Sequence, residues 1–162
     1  MKLDIGVRAR LQFLCRVVEK EARYLIETDV RLFDHALSPE SLAIITRDPL
    51  LAERLDAFVS RFGRLQDTLA DKLLPALLDA LAEPKATAIE NLDRAEKLGW
   101  LDSTDDWLAM RKLRNQMVHE YIEDLVILCN ALKVGHQFVP TLVETASRFV
   151  SQAQKRIAAS LS

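Results

Sequence analysis

The sequence predicts an all-α protein, folded as an antiparallel helical bundle. Three observations predict it. Leucine and alanine dominate the composition, and both favour helix. Only four glycines occur in 162 residues, and β-branched residues never dominate a segment. Apolar residues recur at the i, i+3, i+4, i+7 spacing that lines one face of a helix. About half the chain is apolar and 28% is charged, which is a globular composition. The length suits one domain, residues 1–162, with a core of useful size.

The first helix is expected over residues 5 to 27, on the stripe Leu11, Leu14, Cys15, Val18, Ala22, Leu25 and Ile26. The polar stretch 29 to 41 should end it. Within that stretch Ser38 and Pro39 read as the N-cap and first turn of a short helix. Asp48 and Pro49 repeat the signal and open a long second helix carrying Leu55, Phe58, Phe62, Leu65, Leu69 and Leu73. Pro75 removes an amide donor and crowds the preceding turn, so a kink or break is expected there, with a helical extension that Pro84 closes. A third main helix is expected over 86 to 98, with Gly99 as its C-terminal cap. Ser103 or Thr104 then caps a fourth, with Asp105 and Asp106 in the favourable first turn. Residues 122 to 135 should continue helically up to Gly135, and a final helix is expected over 139 to 161, with Pro140 in its first turn.

Net charge is −2, so no global basic field draws the chain onto nucleic acid, and any RNA contact must come from a local patch. The two cysteines, Cys15 and Cys129, each sit inside an apolar helical pattern. Two buried thiols in a reducing compartment fit them better than a disulfide, though spacing leaves both open. No Cys/His cluster has metal-ligand spacing, so neither a metal nor a cofactor is expected. The N-terminus lacks the uninterrupted apolar core of a signal peptide, and no run approaches the roughly 20 apolar residues of a membrane span. The expectation is a soluble cytoplasmic protein without a membrane partner.

Chemistry concentrates in "RNQMVHEY", residues 114 to 121. On an ideal helix Asn115 and His119, four apart, share a face. Arg114 and His119, five apart, diverge by about 140° at roughly 100° per residue. One copy therefore makes a poor pocket, whereas two copies across a two-fold axis would gather two Arg114 and two His119 round one groove. RNA cleavage without metal needs one group to take the 2′-OH proton and another to protonate the leaving oxygen. It also needs a cation beside the developing phosphorane. Histidine suits the proton transfers because its ordinary pKa is about 6.5, and the planar arginine fork suits the phosphate oxygens. Asn115 would orient His119 or donate to phosphate. Tyr121 would position substrate or offer its hydroxyl for modification. The alternative is structural: Arg114 pairing with Asp105, Asp106 or a partner chain's carboxylate, Asn115 bracing a helix end, Tyr121 as an interface aromatic.

The same eight residues resemble the R-N-x-x-x-H-x-Y signature of the HEPN family, and the R-x4-H-x-Y form of its HepT-type toxins. "NLDRAEKLGWL" and "RFGRLQDTL" are similar to the flanking helices of HepT-type and nucleotidyltransferase-associated members, so the likeness covers most of residues 5 to 160. The resemblance implies an up-and-down four-helix core with extra short helices, a homodimer with the motif at its cleft, and a metal-independent endoribonuclease. It implies catalytic roles for Arg114, Asn115 and His119. It also implies a small nucleotidyltransferase antitoxin that transfers AMP to Tyr121. Other members are nucleotide- or substrate-binding partners of such a transferase. The connection over residues 29 to 50 is longer than compact HepT members have, which bears on substrate preference.

Three further arginines are candidates for RNA phosphate contact. Arg111 precedes Asn115 and His119 at four-residue steps, and Arg61 and Arg64 lie three apart on the long second helix. Each has an ordinary alternative, a surface ion pair for Arg111 and solvated surface positions for the other two. His35 is expected in solvent, and His136 at a helix end, where an imidazolium favours the terminal carbonyls. Trp100 and Trp107 are expected to pack around the turn between helices, with base stacking the lesser alternative.

Overall fold

The computed structural model describes residues 2–44, 47–84, 86–119 and 123–161. Among these every regular element is helical. Helix α1 (Ile5–Leu32) starts at Asp4, whose carboxylate accepts the Gly6 amide at 3.0 Å. It runs past the expected end because its buried stripe continues through Leu25, Thr28 and Leu32, leaving the polar residues of the last turns outside. Thr28 is tolerated there because its hydroxyl donates to the Tyr24 carbonyl at 2.9 Å. Helix α2 (Pro39–Ala43) is held by the expected Ser38 cap, reciprocated by Ser41, and buries Leu42.

Helix α3 (Pro49–Asp67) opens on Asp48, which accepts the Leu51 amide at 3.1 Å. At Pro75 the chain neither breaks nor stops. The proline ring crowds the carbonyl four residues back, that of Asp71. The chain answers with a wider turn: Thr68–Leu73 is π-helical, and Leu74 N–H donates to the Leu69 carbonyl five residues back. Helix α4 (Leu74–Ala80) follows directly. It ends with Ala82 in the left-handed region (φ 57°) and the Glu83 amide donating to the Leu78 carbonyl at 3.1 Å.

Helix α5 (Ala88–Lys97) begins in a Thr87/Glu90 capping box and ends at Gly99, whose φ of 78° lets the Trp100 amide reach the Ala95 carbonyl. Helix α6 (Thr104–His119) is capped by Ser103, which accepts the Asp106 amide at 3.1 Å. Helix α7 (Leu125–Leu161) is capped by Asp124. It joins into one helix the helical stretch expected up to Gly135 and the final helix expected over 139–161. Gly135 is not a stop; it is buried under α6, and a Cβ there would collide with Met117 Cε. Pro140 lies within α7, on its exposed side. The fusion also alters the reading of apolar runs: by length and composition α7 is long and apolar enough to cross a membrane. In this fold Leu128, Leu132, Leu142 and Phe149 of α7 are fully buried in the core.

Helix α1 packs on α3 and α7, and α6 packs on the same two, so four helices enclose one core. Phe58, Phe62, Trp107 and Phe149 are its largest fully buried side chains. Trp100 and Trp107 are both buried, as packing rather than base stacking requires. Cys15 and Cys129 are free thiols inside this core. Burial, reinforced by the Glu19 carboxylate, pushes the Cys15 thiol up to about 11.

Ala82 carries a side chain where a Cβ crowds the following carbonyl. Ala82→Gly removes that crowding and gives back part of the gain as chain entropy. The expected net effect is a stabilisation of roughly 0.5–1 kcal/mol, read as a higher urea midpoint with an unchanged slope.

Candidate functional site

The last turns of α6 carry the motif. Asn115 and His119 lie one turn apart with exposed side chains, and Arg114 is half-buried against α3. The divergence expected from the helical repeat is therefore realised, with the arginine on the α3 side and the other two in solvent.

Two residues of α3 fix Arg114. Gly63 leaves a notch in the helix surface: a Cβ there would stand 2.8 Å from Arg114 Nε, 3.1 Å from Cδ and 3.2 Å from Cγ. The arginine stem fills this notch. One turn further, Asp67 Oδ1 accepts from Arg114 Nη1 at 2.5 Å. Arg111 repeats the arrangement a turn earlier on α6, with Nη2 3.5 Å from Asp71 Oδ1 in the π-helical segment. Gln66 adds a buried cross-link, its Nε2 donating to the Met110 carbonyl at 3.3 Å. The side chains of the Arg114–Asp67 pair remain 33% and 37% exposed. Solvent screening limits such a pair to about 1 kcal/mol or less, so its main effect is to set direction. The partner is thus neither Asp105 nor Asp106.

The other basic candidates divide along the same helix. Arg61 turns away from the motif and toward α1, where Nη1 donates to the Tyr24 carbonyl at 3.1 Å and to the Thr28 hydroxyl. Its guanidinium lies 5.4 Å over the Tyr24 ring. Arg64 is exposed and donates to Ser60 Oγ at 3.0 Å. Only Arg111 shares the α3–α6 seam with Arg114. Tyr121 lies outside the described residues. His35 is exposed beside Asp34. His136 is not at a helix end but within α7, with Nδ1 2.7 Å from Asp29 Oδ1 and its ring stacked on Phe33 at 4.1 Å.

The π-helical segment also meets α1 through a carboxyl group. Thr68 Oγ1 donates to Glu21 Oε1 at 3.0 Å, while Oε2 is buried without a partner among the described residues. Burial holds the Glu21 carboxyl above its ordinary range against the opposing pull of Thr68, Arg64 and Lys72; nearby Asp67 adds to the rise.

Among the described residues no group of three His, Cys, Asp or Glu side chains is placed to hold a metal ion. Five clefts among the described residues, of about 190 to 550 Å3, are lined elsewhere than by Arg114, Asn115 and His119. Sequence reasoning missed the seat of the arginine. Its one signal was Gly63 inside a helical pattern, a placement that costs about 1 kcal/mol against alanine and so calls for a close neighbour. Against models of protein families, curated proteins and solved structures, the chain gives no match.

Gly63→Ala is expected to expel the Arg114 stem from its notch. The helix gains about 1 kcal/mol of propensity, which offsets the ion pair. The melting temperature should therefore stay close to wild type while the Arg114 Nε–H resonance shifts. A carboxyl with a raised pKa binds its proton more readily in the folded chain. It thus favours folding at low pH and opposes it once pH exceeds the raised value. Glu21→Gln keeps an acceptor for Thr68 and cannot ionise. It is expected to be more stable than wild type near neutral pH, with the advantage fading as pH falls into the ordinary carboxylate range, as urea midpoints across pH will read.

Proposed function

We propose that this chain is an endoribonuclease toxin of the HepT type in the HEPN family. It acts as a cytoplasmic homodimer and is neutralised by a nucleotidyltransferase that transfers AMP to Tyr121. The observation that carries the reading is the arrangement at the end of α6. Asn115 and His119 present an amide and an imidazole to solvent one turn apart. Arg114, beside them in the chain, is aimed by Gly63 and Asp67.

The clefts described above lie elsewhere than at these residues, and a second copy would supply the facing wall of a groove here. Val118, next to His119, is exposed, as are Val126 and Ile127 in the first turn of α7 and Val134 two turns on. Exposed aliphatic side chains around a polar motif suit a partner surface, and an isologous dimer brings both motifs to one groove. There His119 of one copy takes the proton of a ribose 2′-OH as the 2′-oxygen forms its bond to phosphorus. The second His119 protonates the 5′-oxygen as its bond to phosphorus breaks. Arg114 neutralises charge on the equatorial oxygens, and Asn115 orients the imidazole.

One observation favours a second reading. Arg111 and Arg114 each already hold a carboxylate of their own chain, as in a subunit whose motif braces α6 against α3. The chain would then be a non-catalytic nucleotide- or substrate-binding partner of the transferase.

The test is cleavage of RNA by the purified, unmodified protein with chelator present. Wild type is expected to cut, and His119→Ala to lose at least about 100-fold in rate with its fold intact. Equal cleavage by the variant would remove His119 from the mechanism. Intact RNA together with tight ATP binding would establish the second reading.

A further inference from the structure

On the far side of α3 from the motif, a cleft of about 340 Å3 separates α3 from α1. Helix α1 contributes Thr28 and Arg31, one turn apart, and α3 contributes Arg54, Ala57 and Arg61, at the i, i+3, i+7 spacing of a single stripe. Three guanidinium groups thus share one opening, and Glu53 is the only carboxylate in the lining.

The three arginines are not alike. Arg61 is pre-set: Thr28 and the Tyr24 carbonyl accept from its Nη1, and the Tyr24 ring lies beneath it. Its remaining N–H groups make no hydrogen bond among the described residues. Arg31 and Arg54 make no ion pair among the described residues, whereas Arg94, Arg111, Arg114 and Arg148 each hold a carboxylate. Ala57, between Arg54 and Arg61, keeps the floor open. Arg31 and Arg54 also line an adjoining cleft of about 190 Å3, so they stand on the ridge between two hollows. In a chain of net charge −2 this is a local reversal of sign.

We propose that this α1–α3 cleft binds a diphosphate group, either free pyrophosphate or the diphosphate of a nucleotide. Guanidinium forks pair two N–H groups with two oxyanion oxygens. A diphosphate offers two adjacent sets of such oxygens, matching a fixed Arg61 below and two exposed arginines on the ridge. A single carboxylate or sulfate engages fewer of them. The site is independent of the motif on α6 and does not require nuclease activity.

Calorimetric titration of the whole protein with sodium pyrophosphate, in about 0.1 M salt to screen loose surface attraction, tests this. Wild type is expected to bind one equivalent with a Kd below about 1 mM. The Arg31→Ala/Arg54→Ala double variant is expected to bind at least about tenfold more weakly, and Arg54→Lys to recover part of the loss. Arg114→Ala should bind as wild type does. Both altered positions are exposed, so melting temperatures should match. A parallel titration with ADP separates the sources: binding as tight as pyrophosphate's or tighter assigns the site to nucleotides, weaker binding to the free anion. Absence of saturation, undiminished binding in the double variant, or loss in Arg114→Ala would overturn the assignment.

Discussion

A single proline sets the terms for this molecule. Pro75 lies near the C-terminal end of the rod formed by α3, the π-helical segment and α4, where a break would have detached α4 from the core. The wider turn avoids the clash and keeps the rod continuous. It also marks the place where the rod meets both neighbours: Thr68 bonds Glu21 of α1, and Asp67 and Asp71 hold the two arginines of α6. Arg114 takes its direction from Gly63 and Asp67 in the last turns of α3, and Arg111 from Asp71 in the π-helical segment that follows.

That dependence shapes the chemistry available to Arg114. Its guanidinium is oriented but partly neutralised, because one edge already faces Asp67. A phosphate approaching it must share the charge with a carboxylate. In compensation the side chain gives up little further freedom on engaging a ligand, since Gly63 and Asp67 have already confined it. His119 makes no hydrogen bond or ion pair among the described residues and is exposed at the end of α6. An oriented cation and an exposed imidazole thus stand five residues apart on one helix.

Much of the architecture was legible in the residues. The all-α class, the caps at Ser38, Asp48 and Ser103, and the left-handed stop at Gly99 follow from local chemistry that tertiary structure did not override. The failures share a cause. Pro75, Gly135 and Pro140 carry the same local signal as true helix ends. What kept the helices going was their surroundings: a π turn, a close approach by Met117, an exposed face. At the site, the divergence of Arg114 and His119 was readable from the helical repeat. The ion pair with Asp67 was not, because 47 residues separate the partners and no local pattern announces which carboxylate the fold will deliver.

The two thiols carry a practical consequence. Cys15 lies on α1 and Cys129 on α7, both buried, the first beside a surface cleft, and burial holds the Cys15 proton far into the alkaline range. Alkylating reagents act on the exposed thiolate, so each cysteine becomes a ready target when the packing around its helix loosens. Timed labelling followed by peptide mass mapping would then show which of these two walls opens first, using reporters the chain already contains.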